Sequence, residues 1–176
     1  RSAKEIAQSL ESRGGGLNAS TGKEISFYSA HILKEDVELA VDVLSDMLHN
    51  SLFAEKDIQL EKQVVLAEMA HTLDDPEELV FDHFYKNLFP RHPLGYFIYG
   101  PEENIRRFTR SDLQTFLQNN YTPERVVISA AGNVEHDDFI RLVKNSPFSA
   151  DATQNKDRTE ICLLYTSDAA DESVGV

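Results

Sequence analysis

Apolar residues recur at helical spacing along most of the chain, interrupted by stretches of β-prone alternation. Ser2 and Glu5 make a capping-box pair ahead of Ile6 and Leu10, and Gly14 supplies a stop. A first helix is therefore expected over 3–13. After Gly14, Gly15 and Gly16, "LNAST" and "EISFYSAHIL" read as two strands joined around Thr21, Gly22 and Lys23. In this hairpin Ile25, Phe27, Ser29 and His31 share one face of the second strand. Val37, Ala40, Val41, Leu44 and Leu48 mark a helix over 34–50, and a longer one is expected over 55–73. Asp75 as N-cap, Pro76 in the first turn and Glu77 and Glu78 behind it open another helix, which Pro90 ends ahead of a loop, "RHPLGYFIYGPEEN". Thr109 and Asp112 cap a helix carrying Leu113, Phe116 and Leu117 that stops before Pro123. "ERVVISAAGNV" reads as a buried strand ending at Gly132 and Asn133, and 136–144 as a last helix. An opening helix followed by a pair of hairpin strands and then by further helices places the chain in the α+β class.

The 176 residues are one domain's worth and contain no apolar run long enough to span a membrane. A formal charge of −13 argues against a nucleic-acid partner and allows basic or unfolded peptide partners. With Cys162 as the single cysteine, neither an intramolecular disulfide nor a cysteine-rich zinc site is expected. No dinucleotide or phosphate-loop glycine pattern occurs, and no G-x-S-x-G elbow. The chain begins at Arg1 inside helix-like sequence, so an upstream segment is expected to be missing. "CLLYTSDAADE" fits no amphipathic period and resembles translated adapter sequence. The expected organisation is a partial domain over 1–146, a polar linker over 147–161 and a non-native tail over 162–176.

The stretch "LEKQVVLAEMAH" carries the candidate chemistry. Glu61 and Glu68 stand seven residues apart on the expected helix, which returns them to within about 20° of one direction. Val64 and Val65 lie on or beside that stripe. Spacing alone leaves three readings open: the solvated edge of a surface helix, a ligand or acid–base pair, and a carboxylate-bridged di-metal site using Glu68 and His71. The last needs a second Glu-x-x-His, and none occurs. The six histidines, His31, His49, His71, His83, His92 and His136, show no two-ligand spacing with an acid between them.

Taken in order, "RSAKEIAQSLESRGGGLNAST", "YSAHILKEDVELAVDVLSDMLHNSLF", "EKQVVLAEM", "HPLG" and "YTPERVVISAAGN" resemble the first domain of the insulinase/pitrilysin zinc metallopeptidases. The likeness is nearest to the mitochondrial-processing-peptidase β branch and its bacterial counterparts. It implies a truncated processing-peptidase-like metallohydrolase domain, an antiparallel-rich mixed sheet packed with helices. In that family a His-x-x-Glu-His helix supplies two zinc ligands and a base, and a later helix supplies a glutamate. By resemblance Glu68 falls at that third Zn2+ ligand and Glu61 at a supporting catalytic acid, with Val64 and Val65 making the core contact. The His-x-x-Glu-His motif itself is not in this sequence; family spacing puts it about ten residues upstream of Arg1. Asn18 and Ala19 match the family's substrate-binding strand, to which an extended peptide adds. The resemblance thus implies a metalloendopeptidase acting on peptides or unfolded, presequence-like segments, paired with a second homologous domain or subunit, in a bacterial cytoplasm. This fragment of it is expected to be inactive alone. The alternative is a non-catalytic partner subunit of the same fold.

Overall fold

The computed structural model describes residues 1–149; Cys162, the expected non-native tail and most of the expected linker lie outside the described residues. The first helix, α1 (Ala3–Glu11), opens as its sequence predicts. Ser2 Oγ accepts the Glu5 N–H while the Glu5 carboxylate accepts from the Ser2 N–H and hydroxyl. The Ser2 N–H, then its hydroxyl, holds the Glu5 carboxyl below the ordinary glutamate range. Strands β1 (Gly16–Thr21) and β2 (Ser26–His31) follow as an antiparallel hairpin with Ala19 opposite Tyr28. Gly15 is where the hairpin returns on α1. A Cβ there would lie 2.9 Å from the His31 carbonyl oxygen, so the close approach needs glycine.

Helix α2 (Val37–His49) is the centre of the core. The predicted stripe is present, with Ala40, Val41 and Leu48 buried, and Val43 and Ser45 are buried as well. More than one face is covered because α1 packs on it from one direction and α7 (His136–Lys144), with the turn at Pro147–Ser149, from another. Asp36 at its start is buried and accepts from Arg13 at 2.7 Å, which ties the end of α1 to the start of α2.

The chain continues through α3 (Glu55–Asp74) and α4 (Pro76–Leu88), which pack on each other. Asp75 Oδ1 accepts the Glu77 and Glu78 N–H groups, the predicted cap. The loop after α4 is fixed by a single-turn element, Pro93–Gly95, in which His92 Nδ1 accepts the Leu94 N–H at 3.2 Å. Gly95 is buried there, and a Cβ on it would lie 2.1 Å from the Phe89 carbonyl oxygen. Gly95→Ala is therefore expected to destabilise the chain by about 3 kcal/mol, the upper end of the overpacking range, read as a lowered denaturation midpoint. A midpoint equal to wild type would show that this turn gives way freely.

A helix not predicted from the sequence, α5 (Glu102–Arg107), buries Ile105 and meets α3. Lys62 on α3 donates to the Arg106 carbonyl at 2.9 Å. Helix α6 (Arg110–Asn120) starts at the Thr109–Asp112 capping box. It ends beside Tyr121, whose hydroxyl lies 3.0 Å from that of Tyr28 on β2. Burial first, then the Tyr121 hydroxyl, pushes the Tyr28 phenol upward from its ordinary value. A raised folded value adds stability that is fully present below the unfolded phenol value of about 10 and is lost as the pH rises through the folded one. Tyr28→Phe should flatten the alkaline fall of stability above about pH 10, measured by denaturant midpoints; an unchanged profile would place the loss elsewhere.

Two expectations are corrected. The buried strand read over 124–134 is not formed among the described residues, although Val126 has extended backbone angles. Val127 is 93% exposed. A strand needs a neighbouring edge, and between this segment and β2 lies a cavity of about 960 Å³ floored by Val41, Leu44 and Leu48 of α2. Local β preference is thus present without a ladder to stabilise it. The other correction concerns Val64 and Val65: α3 buries only Ile58, Val64 is 43% exposed and Val65 is half-buried. Helix α3 packs on α4 and α5, and Val64 remains exposed beside those contacts.

Candidate active-site surface

Two of the residues in question lie on the hairpin. The Gly22 N–H donates to the Ile25 carbonyl at 2.8 Å, which makes that pair the bonded closure of the turn. Bonded and unbonded pairs alternate along an antiparallel ladder. Stepping back through the register, Ser20 with Phe27 and Asn18 with Ser29 face inward to each other, while Leu17, Ala19 and Thr21 turn their N–H and C=O groups to the outer edge of β1. That edge has no partner strand among the described residues, and Asn18, Ala19, Ser20 and Thr21 are exposed. At Ala19 the outward N–H is met by the neighbouring side chain: Asn18 Oδ1 accepts it at 2.9 Å. The edge is thus open to solvent over Asn18 to Thr21 and self-capped at the Ala19 donor, a device that blunts unwanted strand pairing.

Glu61 and Glu68 project from α3, both exposed. Among the described residues neither carboxylate has a hydrogen-bond or ion-pair partner. An unpartnered, hydrated carboxylate is available to a cation without first breaking an internal bond. One such group is still a fraction of a metal site. Among the described residues no three of His, Cys, Asp and Glu gather where they could hold an ion. The residues present therefore do not by themselves fit zinc, which takes three protein ligands and one open position in its catalytic sites. His71, which follows Glu68 by one turn, is exposed and builds no such cluster with it.

The structure connects the two surfaces through contacts that no local sequence pattern signals. Lys23, at the hairpin tip, donates to the Tyr96 carbonyl at 2.6 Å and pairs with Asp82 of α4 at 3.4 Å. Its ammonium also stands 5.4 Å from the centre of the Tyr85 ring, on the same face of α4. Since α4 packs on α3, a continuous path of contacts runs from β1 through Lys23 to the helix bearing the acids.

Comparison with known proteins gives two family matches. The sequence model described as insulinase (peptidase family M16) matches residues 1–102, and that described as peptidase M16 inactive domain matches 107–161. Among similar curated proteins, an uncharacterized zinc protease of Mycobacterium leprae is 45% identical over 144 residues, 82% of this chain and 32% of its own length. A probable mitochondrial-processing peptidase subunit beta of Arabidopsis thaliana is 39% identical over 155 residues, 87% of this chain and 29% of its own. The chain thus spans about a third of the length of the curated relatives it matches. Among solved structures, a protease from Helicobacter pylori superposes with a TM-score of 0.81 at 22% identity, covering 89% of this chain and 38% of that one. The α+β, processing-peptidase-like fold expected from the sequence is the fold these neighbours share. No helix among the described residues is long and apolar enough to cross a membrane.

Proposed function

This chain belongs to the insulinase family, peptidase family M16, and from that premise we propose that it is part of a zinc-dependent endopeptidase that cuts extended or unfolded peptides. The observation that carries the reading is the pair of exposed, unpartnered carboxylates at Glu61 and Glu68, one face-repeat apart on α3. Glu68 contributes one donor to a metal site completed by residues outside this chain, and Glu61 supports that site from the same helix face. When bound, zinc would supply Lewis-acid polarisation of the peptide carbonyl. The experiment that tests this assignment is replacement of each glutamate in the longer parent polypeptide, with peptide hydrolysis and bound metal as the readouts.

Substrate, on this reading, adds as a strand to the outer edge of β1. Leu17, Ala19 and Thr21 offer main-chain groups at every second residue, which recognises backbone rather than sequence. The peptide carbonyl replaces the Asn18 carboxamide at the Ala19 N–H and frees that side chain to reach the peptide. A peptide N-methylated at alternate residues loses its donors to this edge, and at about 1 kcal/mol per bond its binding should fall by at least about tenfold. Equal binding of methylated and unmethylated peptides would rule strand addition out.

The net charge of −13 favours basic, presequence-like segments as substrates. A second homologous domain or subunit is the proposed partner, and the bacterial cytoplasm the proposed compartment, by likeness to the bacterial relatives. A non-catalytic role for the same fold draws on the description of the second family match as an inactive domain. The shared direction of Glu61 and Glu68 on α3 is what supports the catalytic reading over that one.

A further inference from the structure

We propose that Lys23 is a positioning residue for peptide binding: it locks the tip of the β1–β2 hairpin onto α4 and thereby fixes the outer edge of β1 relative to the acids of α3. The proposal rests on the reading of β1 as the edge to which substrate adds.

Beyond the Tyr28–Tyr121 contact midway along β2, the hairpin tip has little else to hold it. Ile25 and Phe27 beside the turn are 72% and 58% exposed, and Asn18 to Thr21 are exposed too. An isolated two-stranded hairpin is marginal in water, so its free end needs an anchor. Contact of β1 with α1 secures the other end, near Gly16. At the tip, Lys23 is the group that engages. Its side chain is only 21% exposed, and three acceptors of different kinds surround the ammonium. These are the Tyr96 carbonyl at 2.6 Å, the Asp82 carboxylate at 3.4 Å and the face of the Tyr85 ring at 5.4 Å.

This arrangement is directional. Asp82 and Tyr85 are one turn apart on α4, and Tyr96 belongs to the loop that follows it, so the ammonium is fixed on more than one side. Charge-assisted bonds of this kind are stronger than neutral ones. Asp82 is itself 16% exposed and would lose its cationic partner if Lys23 were neutral. Strand addition requires the edge to be held within a fraction of an ångström of the pairing geometry, because successive bonds form only in register. A tip released from α4 would keep its ladder and lose its fixed direction. Fold and site therefore separate: loss of Lys23 leaves the α1–α2 core in place and loosens the edge.

The test uses the full chain and a fluorescein-labelled peptide of about ten alternating Val and Lys residues, long enough for one strand, with its N-methylated counterpart as control. Wild type, Lys23→Met, Lys23→Arg and Asp82→Asn are compared by anisotropy, with amide exchange of β1 and of α2 measured on each. Lys23→Met is expected to weaken binding about tenfold and to speed exchange in β1 while α2 stays protected. Arg keeps the charge and can contact the ring but puts a planar fork where a compact ammonium stands, so Lys23→Arg should recover part of the binding lost in Lys23→Met. Asp82→Asn, which leaves the Tyr96 bond in place, should fall between them. Should Lys23→Met and Asp82→Asn both bind as wild type does, with β1 exchange unchanged, the positioning role is overturned while strand addition stands. Wild type that binds both peptides alike, or neither, would remove strand addition and this proposal with it.

Discussion

Glu68→Gln in the longer parent polypeptide is expected to lower peptide hydrolysis by about a thousandfold or more, equivalent to about 4 kcal/mol in the barrier, and to cost the protein its zinc. A neutral amide is a poor donor to zinc, whereas the carboxylate it replaces brings charge and a short bond. The substitution is nearly isosteric. Because Glu68 is exposed and has no partner among the described residues, the change in folding stability, compared with the metal absent from both proteins, should stay within about 0.5 kcal/mol. Lost activity with an intact fold then reads on the metal and not on the scaffold. Glu61→Gln gives the internal comparison. A supporting acid typically costs 10- to 100-fold in affinity or rate, so Glu61→Gln should leave measurable turnover and weakened metal retention. Wild-type turnover from Glu68→Gln would remove the ligand assignment, and a larger loss at Glu61 than at Glu68 would exchange their roles.

The elements that the sequence made legible are those whose ends are written locally. Ser2 with Glu5, Asp75 with Glu77 and Glu78, and Thr109 with Asp112 each cap a helix through bonds spanning two or three residues, and each cap is present. The hairpin was legible for the same reason, since its turn and its register are set within sixteen residues, Gly16 to His31. Helix α5 went unread despite the same grammar: Pro101 precedes acids at Glu102 and Glu103 and bases at Arg106 and Arg107. Its six residues are too short for an apolar period to show. The strand expected around Val127 fails differently. Its residues have the right preference, but a strand is completed by its neighbours, and the edge of β2 lies across a cavity. The burial of Val43 and Ser45 on α2 lies outside the apolar stripe, because a helix wrapped on several sides has no single stripe. For the candidate site, the shared direction of Glu61 and Glu68 follows from helical geometry alone. The attachment of Lys23 to Asp82 and Tyr96 spans 59 and 73 residues, and no local pattern encodes a contact at that range.

Purified and dialysed, the 176-residue chain is expected to hold no stoichiometric zinc and to cleave no peptide. Three protein ligands must converge within bonding distance of one point, and among the described residues no such trio gathers. Glu68 offers a single carboxylate in water, where a hydrated ion gains little by exchanging one oxygen for another. The histidines are dispersed and several are engaged elsewhere. His49 Nδ1 lies 3.1 Å from the Ser45 carbonyl, His92 Nδ1 accepts the Leu94 N–H, and His83 stands edge-on to Phe97. Elemental analysis should therefore find well under one zinc per chain, and a quenched-fluorescence peptide should stay intact on added zinc. One tightly held zinc per chain would show that residues here converge in a way the described structure does not contain. Under the proposed function, the polypeptide that supplies the remaining ligands should restore both properties together. Glu68→Gln in this chain should block that restoration, whereas Lys23→Met should leave the metal in place and impair peptide binding. Metal and substrate are thus expected to fail separately, because Glu68 acts on the ion and Lys23 on the direction of the strand.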